Sequence, residues 1–113
     1  MADRVLPHDP LAFICDCLRE ARSLWTYHVN MRLGQRFIAR DMIIGASTSY
    51  AIVKECPEDE YLPSYLSLGR RQSVGFHVLV AVDVPGQNVR VVTAYYPDPD
   101  EWAVDLKTRR TMK

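Results

Sequence analysis

Apolar residues recur at spacings of three and four through the first third of the chain, then give way to runs rich in β-branched and aromatic side chains. Asp9-Pro10 has the form of an N-cap followed by proline at the first helical position. From there Leu11, Ile14, Leu18 and Ala21 make an apolar stripe that predicts an amphipathic helix to about Leu24. Trp25-Thr26-Tyr27 reads as a short extended or turn segment. A second helical pattern follows, with Val29, Leu33 and Phe37 on one apolar stripe. Gly34 costs a helix interior up to about 1 kcal/mol and marks where that helix can end. Asp41 to Ala46 predicts a short third helix, capped between Ala39 and Asp41.

Beyond Ser49 the period changes. Tyr50-Ala51-Ile52-Val53 is a strand pattern broken by Pro57 and the acidic stretch Glu55–Glu60. Tyr65–Arg70 is a weaker second strand, and Val74–Val84 and Val89–Tyr96 are strong ones, joined by the turn residues Pro85-Gly86-Gln87-Asn88. Pro97 and Pro99 end the sheet, and Trp102 to Lys113 forms a tail with the basic residues Lys107, Arg109 and Arg110. The expected fold is one α+β domain over residues 1–113, with two to three N-terminal helices packed on a four-stranded, mainly antiparallel sheet. A hairpin loop of residues 85–88 would set Val84 opposite Val89, Asp83 opposite Arg90 and His77 opposite Tyr96. A loop one residue longer or shorter reverses the parity and sets His77 beside Thr93 and Tyr95.

Composition adds limits. At 113 residues, 48% hydrophobic and 25% charged, the chain matches an average globular domain able to form its own core. Val78–Val82 and the other apolar runs are far too short to cross a bilayer. Met1-Ala2-Asp3-Arg4 leads into no apolar segment of a secretory signal, so a cytoplasmic protein is expected. Cys15, Cys17 and Cys56 match no zinc spacing, and an i, i+2 pair on a helix does not share a face. No metal and no cofactor is expected. Fourteen basic residues cancel fourteen acidic ones, which argues against nucleic-acid binding by bulk charge. The distribution is uneven, however. Arg19, Arg22, Arg32, Arg36 and Arg40 face Glu20 alone within residues 19–40. Eleven of the fourteen basic residues are arginine, whose planar fork suits carboxylate or phosphate. Such a cluster fits a small anionic site better than a long nucleic-acid track. For any single arginine, a solvated ion pair is the stronger reading.

Three groups could carry chemistry. His28, Arg32 and Arg36, with Gln35 interleaved, follow helical spacing, and His28, Arg32 and Gln35 fall on the border of the apolar stripe. Imidazole moves protons near neutral pH and guanidinium holds an anion, so this border suits acid–base work on a phosphate. Spacing alone favours the plainer alternative, a boundary histidine with arginines in surface ion pairs. His77 lies inside a strongly apolar strand and needs a partner there; it is equally a core histidine bonded to a backbone group or tyrosine. Thr93, Tyr95 and Tyr96 place hydroxyls at the end of the last strand, where they could orient or protonate a substrate. The acidic Pro97–Glu101 segment lacks the ligand order of a calcium loop. No P-loop, dinucleotide fingerprint or nucleophile elbow is present.

The segment Tyr27–Ile38, with His28, Arg32, Arg36 and Ile38, resembles the H-A-x-x-R-M-x-x-R-x-I opening of the bacterial family catalogued as domain of unknown function 4258. Leu68-Gly69, His77-Val78, Thr93-x-Tyr95-x-Pro97 and Trp102 resemble that family's close, so the resemblance covers about residues 25–105. Phe37 stands where the family has a small residue, and Val29 where it has alanine. The resemblance implies an α+β fold related to the RelE-like and barnase-like toxin nucleases. It also implies a toxin of a toxin–antitoxin pair, with an antitoxin partner. Carried over by position, the implied polar site is His28, Arg32, Arg36, His77, Thr93 and Tyr95.

Two expectations follow. One is a metal-independent ribonuclease, in which one histidine activates the ribose 2′-hydroxyl. The other histidine or Tyr95 protonates the leaving oxygen, while Arg32 and Arg36 hold the phosphate, aided by Gln35, Thr93 and Tyr96. It requires His28 and His77 in one cleft. The other is a non-catalytic module, dimeric or paired with another protein through the second face of the hairpin, or a small-anion binder at the arginines.

Overall fold

In the computed structural model, which describes residues 5–58, 62–72, 74–103 and 105–108, Asp9 opens the first helix as its sequence form predicts. Its carboxylate accepts from the Ala12 amide at 3.1 Å, and Pro10 starts α1 (Pro10–Arg19). The helix stops earlier than the apolar spacing suggests. Ala21 takes a left-handed φ of 59°, and the Arg22 amide returns to the Cys17 carbonyl at 2.8 Å, a Schellman closure. The chain leaves this closure extended, and Ser23–Trp25 becomes the edge strand β1. Helix α2 (Tyr27–Gln35) is capped by the Thr26 hydroxyl, which accepts from the Val29 amide at 3.1 Å. Helix α3 spans Arg40–Gly45, with Ala39 at its N-cap.

Strands β2 (Ala51–Cys56), β3 (Ser64–Arg71), β4 (Val74–Asp83) and β5 (Asn88–Tyr95) follow. The sheet has five strands in the order β1-β5-β4-β3-β2. Four are antiparallel, as expected, but β1 adds a parallel edge against β5, with Leu24 opposite Arg90. The expected four-stranded sheet is thereby corrected to a mixed five-stranded one. A three-residue strand has too little period-2 pattern to stand out beside a helix end.

The hairpin register also differs from the one drawn from a loop of residues 85–88. The loop holds residues 84–87, closed by the Gln87 amide on the Val84 carbonyl at 3.1 Å, so Asp83 faces Asn88 and not Arg90. A bulge follows, where Val80 pairs with Val91 but Leu79 pairs with Thr93. Val92 is the extra residue, and His77 consequently faces Tyr95 and not Tyr96.

One face of the sheet packs against all three helices. Phe76, Val78, Val80 and Val82 of β4 and Val89, Val91 and Ala94 of β5 meet Ile14 and Leu18 of α1, Val29 and Leu33 of α2, and Ile43 of α3. Alternation along β4 sends His77 to the other face. There it meets Trp102, ring centroids 4.5 Å apart, and the backbone of Leu106. The chain thus covers this end of the second face itself. Gly75 lies under this cover, and a Cβ there would push against the end of the Leu106 side chain. No helix of the described residues is long and apolar enough to cross a membrane. Arg109 and Arg110 of the basic tail, and Glu60 of the acidic stretch, lie outside the described residues.

Candidate functional site

Helix α2 positions the first group of candidate residues. Val29 and Leu33 bury toward the core, and helical spacing turns His28, Arg32 and Gln35 outward along one border, where all three are exposed. All three face water, because α2 packs on β5 through the side that carries Val29 and Leu33. Among the described residues the Arg32 side chain makes no hydrogen bond or ion pair. No acidic residue occurs from 21 to 40. Arg19 pairs with Asp16 and Arg22 with Glu20, so the neutralised arginines lie at the α1 end and the open one lies on α2.

Arg36 has a different part. As the C-cap of α2 it is half-buried, and its Nη1 donates to the Thr93 hydroxyl at 3.0 Å and the Ala94 carbonyl at 2.9 Å. Arg36 and Thr93, both expected at a substrate, are bonded to each other here, and Arg36 ties the end of α2 to β5. The Tyr96 hydroxyl, also expected at a substrate, donates to the Phe37 carbonyl at 3.1 Å. Both bonds pin the same turn to the last strand.

His77 is 0% exposed. Its Nε2 lies 2.7 Å from the Leu106 carbonyl, and its Nδ1 lies 3.3 Å from the Tyr95 hydroxyl. A carbonyl only accepts, so Nε2 carries the proton and the Tyr95 hydroxyl donates to Nδ1. Burial pushes the imidazole below its ordinary range, and the Leu106 carbonyl, which favours the charged ring, opposes this in part. His77 and Tyr95 are therefore engaged in packing and hydrogen bonds beneath Trp102 and Leu106. His28 stands on the exposed surface of the helical layer, on the other side of the sheet. The shared cleft that a two-histidine mechanism requires is not formed, because alternation along β4 gives the core face to Phe76 and Val78 and the far face to His77.

Two features of the α2 region escaped the sequence reading. Phe37, assigned there to the buried stripe, is 87% exposed, and its core place is taken by Ile38. Arg40 lies on the opposite flank of α2 from Arg32. Its Nε donates to the Asn30 side chain at 3.0 Å, and its guanidinium stacks over the Trp25 ring at 4.9 Å. The signal available in sequence was the missing glycine after Arg36, which leaves a bulky residue at the position that ends the helix.

Cys15 and Cys17 offer no competing centre. Both are buried, which pushes them above the usual thiol range. No group of three or more metal-ligating side chains occurs among the described residues.

Neither the curated proteins nor the solved structures contain a significant match to the chain. A family model does match it, over residues 25–99, from β1 to just past β5. That span takes in α2, the Arg36 tether and the His77–Tyr95 pair. The chain belongs to the family described as Domain of unknown function (DUF4258).

Proposed function

We propose that this protein binds RNA, with the exposed face of α2 as its phosphate-binding surface. The observation that carries the reading is the state of Arg32: an exposed guanidinium without an ion pair among the described residues, one helical turn from His28 and beside Gln35, in a stretch with no acid from 21 to 40. A guanidinium with its donors open receives a phosphate without first breaking an internal bond. Arg40, already oriented by Asn30 and Trp25, supplies a second positive group on the other flank.

A ribonuclease of toxin–antitoxin type, related to the RelE-like and barnase-like nucleases, is the second reading, and the adjacency of His28 to Arg32 favours it. In that version His28 takes the proton from the ribose 2′-hydroxyl and the 2′-oxygen attacks phosphorus. The 5′-oxygen departs with a proton taken from water, leaving a cyclic phosphate, and Arg32 holds the charge. General acid–base transfer of this kind contributes roughly 10²–10⁴-fold. A bacterial cytoplasmic setting and an antitoxin or a second copy as protein partner belong to this reading.

Both readings are tested with purified protein and a mixed-sequence RNA in EDTA, following retention and cleavage together. Binding that Arg32→Gln weakens supports the first. Cleavage abolished by His28→Ala and kept by a folded His77→Gln supports the second. Absence of binding at low salt removes both.

A further inference from the structure

Helix α2 has a second apolar stripe, on the face opposite its buried one. Tyr27, Met31 and Gly34 fall at i, i+4 and i+7, on the side away from Val29 and Leu33, and Phe37 stands beside Gly34 just past the helix end. Tyr27 is 79% exposed, Met31 45% and Phe37 87%. Two aromatic rings thus stand in solvent, one at each end of α2. Arg32 lies on one side of this ridge and Arg40 on the other.

Phe37 is the informative member. The Ile38 amide bonds the Leu33 carbonyl at 3.0 Å and the Phe37 amide the Gly34 carbonyl at 3.3 Å, which makes a Schellman closure with Phe37 at the left-handed position. Its φ is 58°, a conformation that glycine adopts freely and a bulky residue adopts at a cost. The ring gains almost no burial in return. The turn is nevertheless held rigidly, by Arg36 on Thr93 and Ala94 and by Tyr96 on the Phe37 carbonyl. An exposed aromatic ring on a strained but tethered turn is preorganised for contact with something outside the chain. Beside it, Leu33, Gly34, Ile38 and Ala39 line a shallow apolar hollow, and a Cβ at Gly34 would meet nothing within 4 Å.

We infer that the Tyr27–Met31–Phe37 ridge is a stacking platform for the unpaired bases of single-stranded RNA, with the flanking Arg32 and Arg40 on its phosphates. The inference rests on the RNA-binding reading and specifies its substrate class. Charge decides between occupants. A protein-docking face of this size would need a broad apolar area, whereas this ridge is narrow, carries two rings with open π-faces and is bordered by guanidinium groups without an acid from 21 to 40. Aromatic rings interleaved with positive charge are the means by which proteins hold single strands without reading sequence. A duplex, whose bases are already stacked, offers the rings nothing to stack on.

The test is fluorescence anisotropy with a short labelled single-stranded RNA and its duplex, using wild type, Phe37→Gly, Phe37→Ala and Tyr27→Ala, with urea unfolding of each protein. Single strands bind more tightly than duplex, and each substitution weakens binding by about fivefold to a hundredfold. Phe37→Gly keeps or raises the urea midpoint while it loses affinity, a split that a merely structural role for the ring would not give. RNA binding that Phe37→Gly and Tyr27→Ala leave unchanged, or a preference for duplex, overturns the inference and leaves the RNA reading standing. No RNA binding by wild type at low salt overturns both. Self-association abolished by Phe37→Gly, without RNA binding, assigns the ridge to a second copy of the chain.

Discussion

His77 Nε2 sits 2.7 Å from the carbonyl oxygen of Leu106, 29 residues further along the chain. This bond, with the edge-on ring of Trp102, turns a histidine in an apolar strand into the attachment point for the segment that follows β5. We predict that His77→Ala destabilises the protein by about 2–4 kcal/mol, through the cavity it leaves and the orphaned Leu106 carbonyl. RNA binding at the α2 face is expected to be unchanged below the new unfolding midpoint. Urea unfolding and anisotropy on the same sample read the two effects apart.

The protonation of His77 gives a pH dependence with a definite sign. Its folded pKa is lowered by burial, so the unfolded chain binds the proton more readily. Stability is then fully present above the unfolded value of about 6.5 and is lost as pH falls through that value toward the folded one. Urea midpoints measured from neutral pH down to about pH 5 should decline, and His77→Gln should flatten the decline. An equally steep decline in His77→Gln would assign the effect to other groups.

Arg36 is a tether, and its substitutions should behave accordingly. Arg36→Ala removes the donor shared by the Thr93 hydroxyl and the part-buried Ala94 carbonyl and is predicted to cost about 1–3 kcal/mol. Thr93→Val removes only one of the two bonds and should cost about 0.5–1.5 kcal/mol. A double-mutant cycle between the two positions checks the shared bond. Additive effects would mean that the Thr93 contact contributes nothing.

Gly69 marks the tightest approach on the helical side. A Cβ there would lie 2.6 Å from Tyr50 Cε1 and 3.0 Å from Phe76 Cζ. The Tyr50 ring cannot swing clear, because its hydroxyl donates to the Ile43 carbonyl at 2.7 Å in the core. Gly69→Ala should therefore destabilise by about 1–3 kcal/mol, a loss visible in the thermal midpoint.

Local signals were legible where local physics decides. The Asp9-Pro10 cap, the Val29/Leu33 stripe and the strands Val74–Asp83 and Asn88–Tyr95 are all written in short-range pattern. What the sequence hid depends on single residues that break a local rule. Ala21 and Phe37 adopt left-handed conformations that their side chains disfavour, so one helix ended early and one apolar residue faced water. The bulge at Val92 and the loop of residues 84–87 fixed which tyrosine faces His77, a choice that parity alone leaves open. The cover over His77 comes from a segment with no periodic pattern at all. For the candidate site, His28, Arg32 and Gln35 share one face as their spacing implies, whereas the engagement of Arg36, Thr93 and Tyr96 in internal bonds is visible only in three dimensions.

The claim on which the account turns is that Arg32 meets a phosphate. The most direct measurement is the anisotropy of a labelled single-stranded RNA titrated with wild type and with Arg32→Gln over a range of salt. Wild type is expected to bind, with an affinity that falls as salt rises. Arg32→Gln is expected to bind more weakly across RNA sequences, with a salt slope reduced by about one. Equal affinity and equal slope for the two proteins, or no binding by wild type at low salt, would contradict that claim.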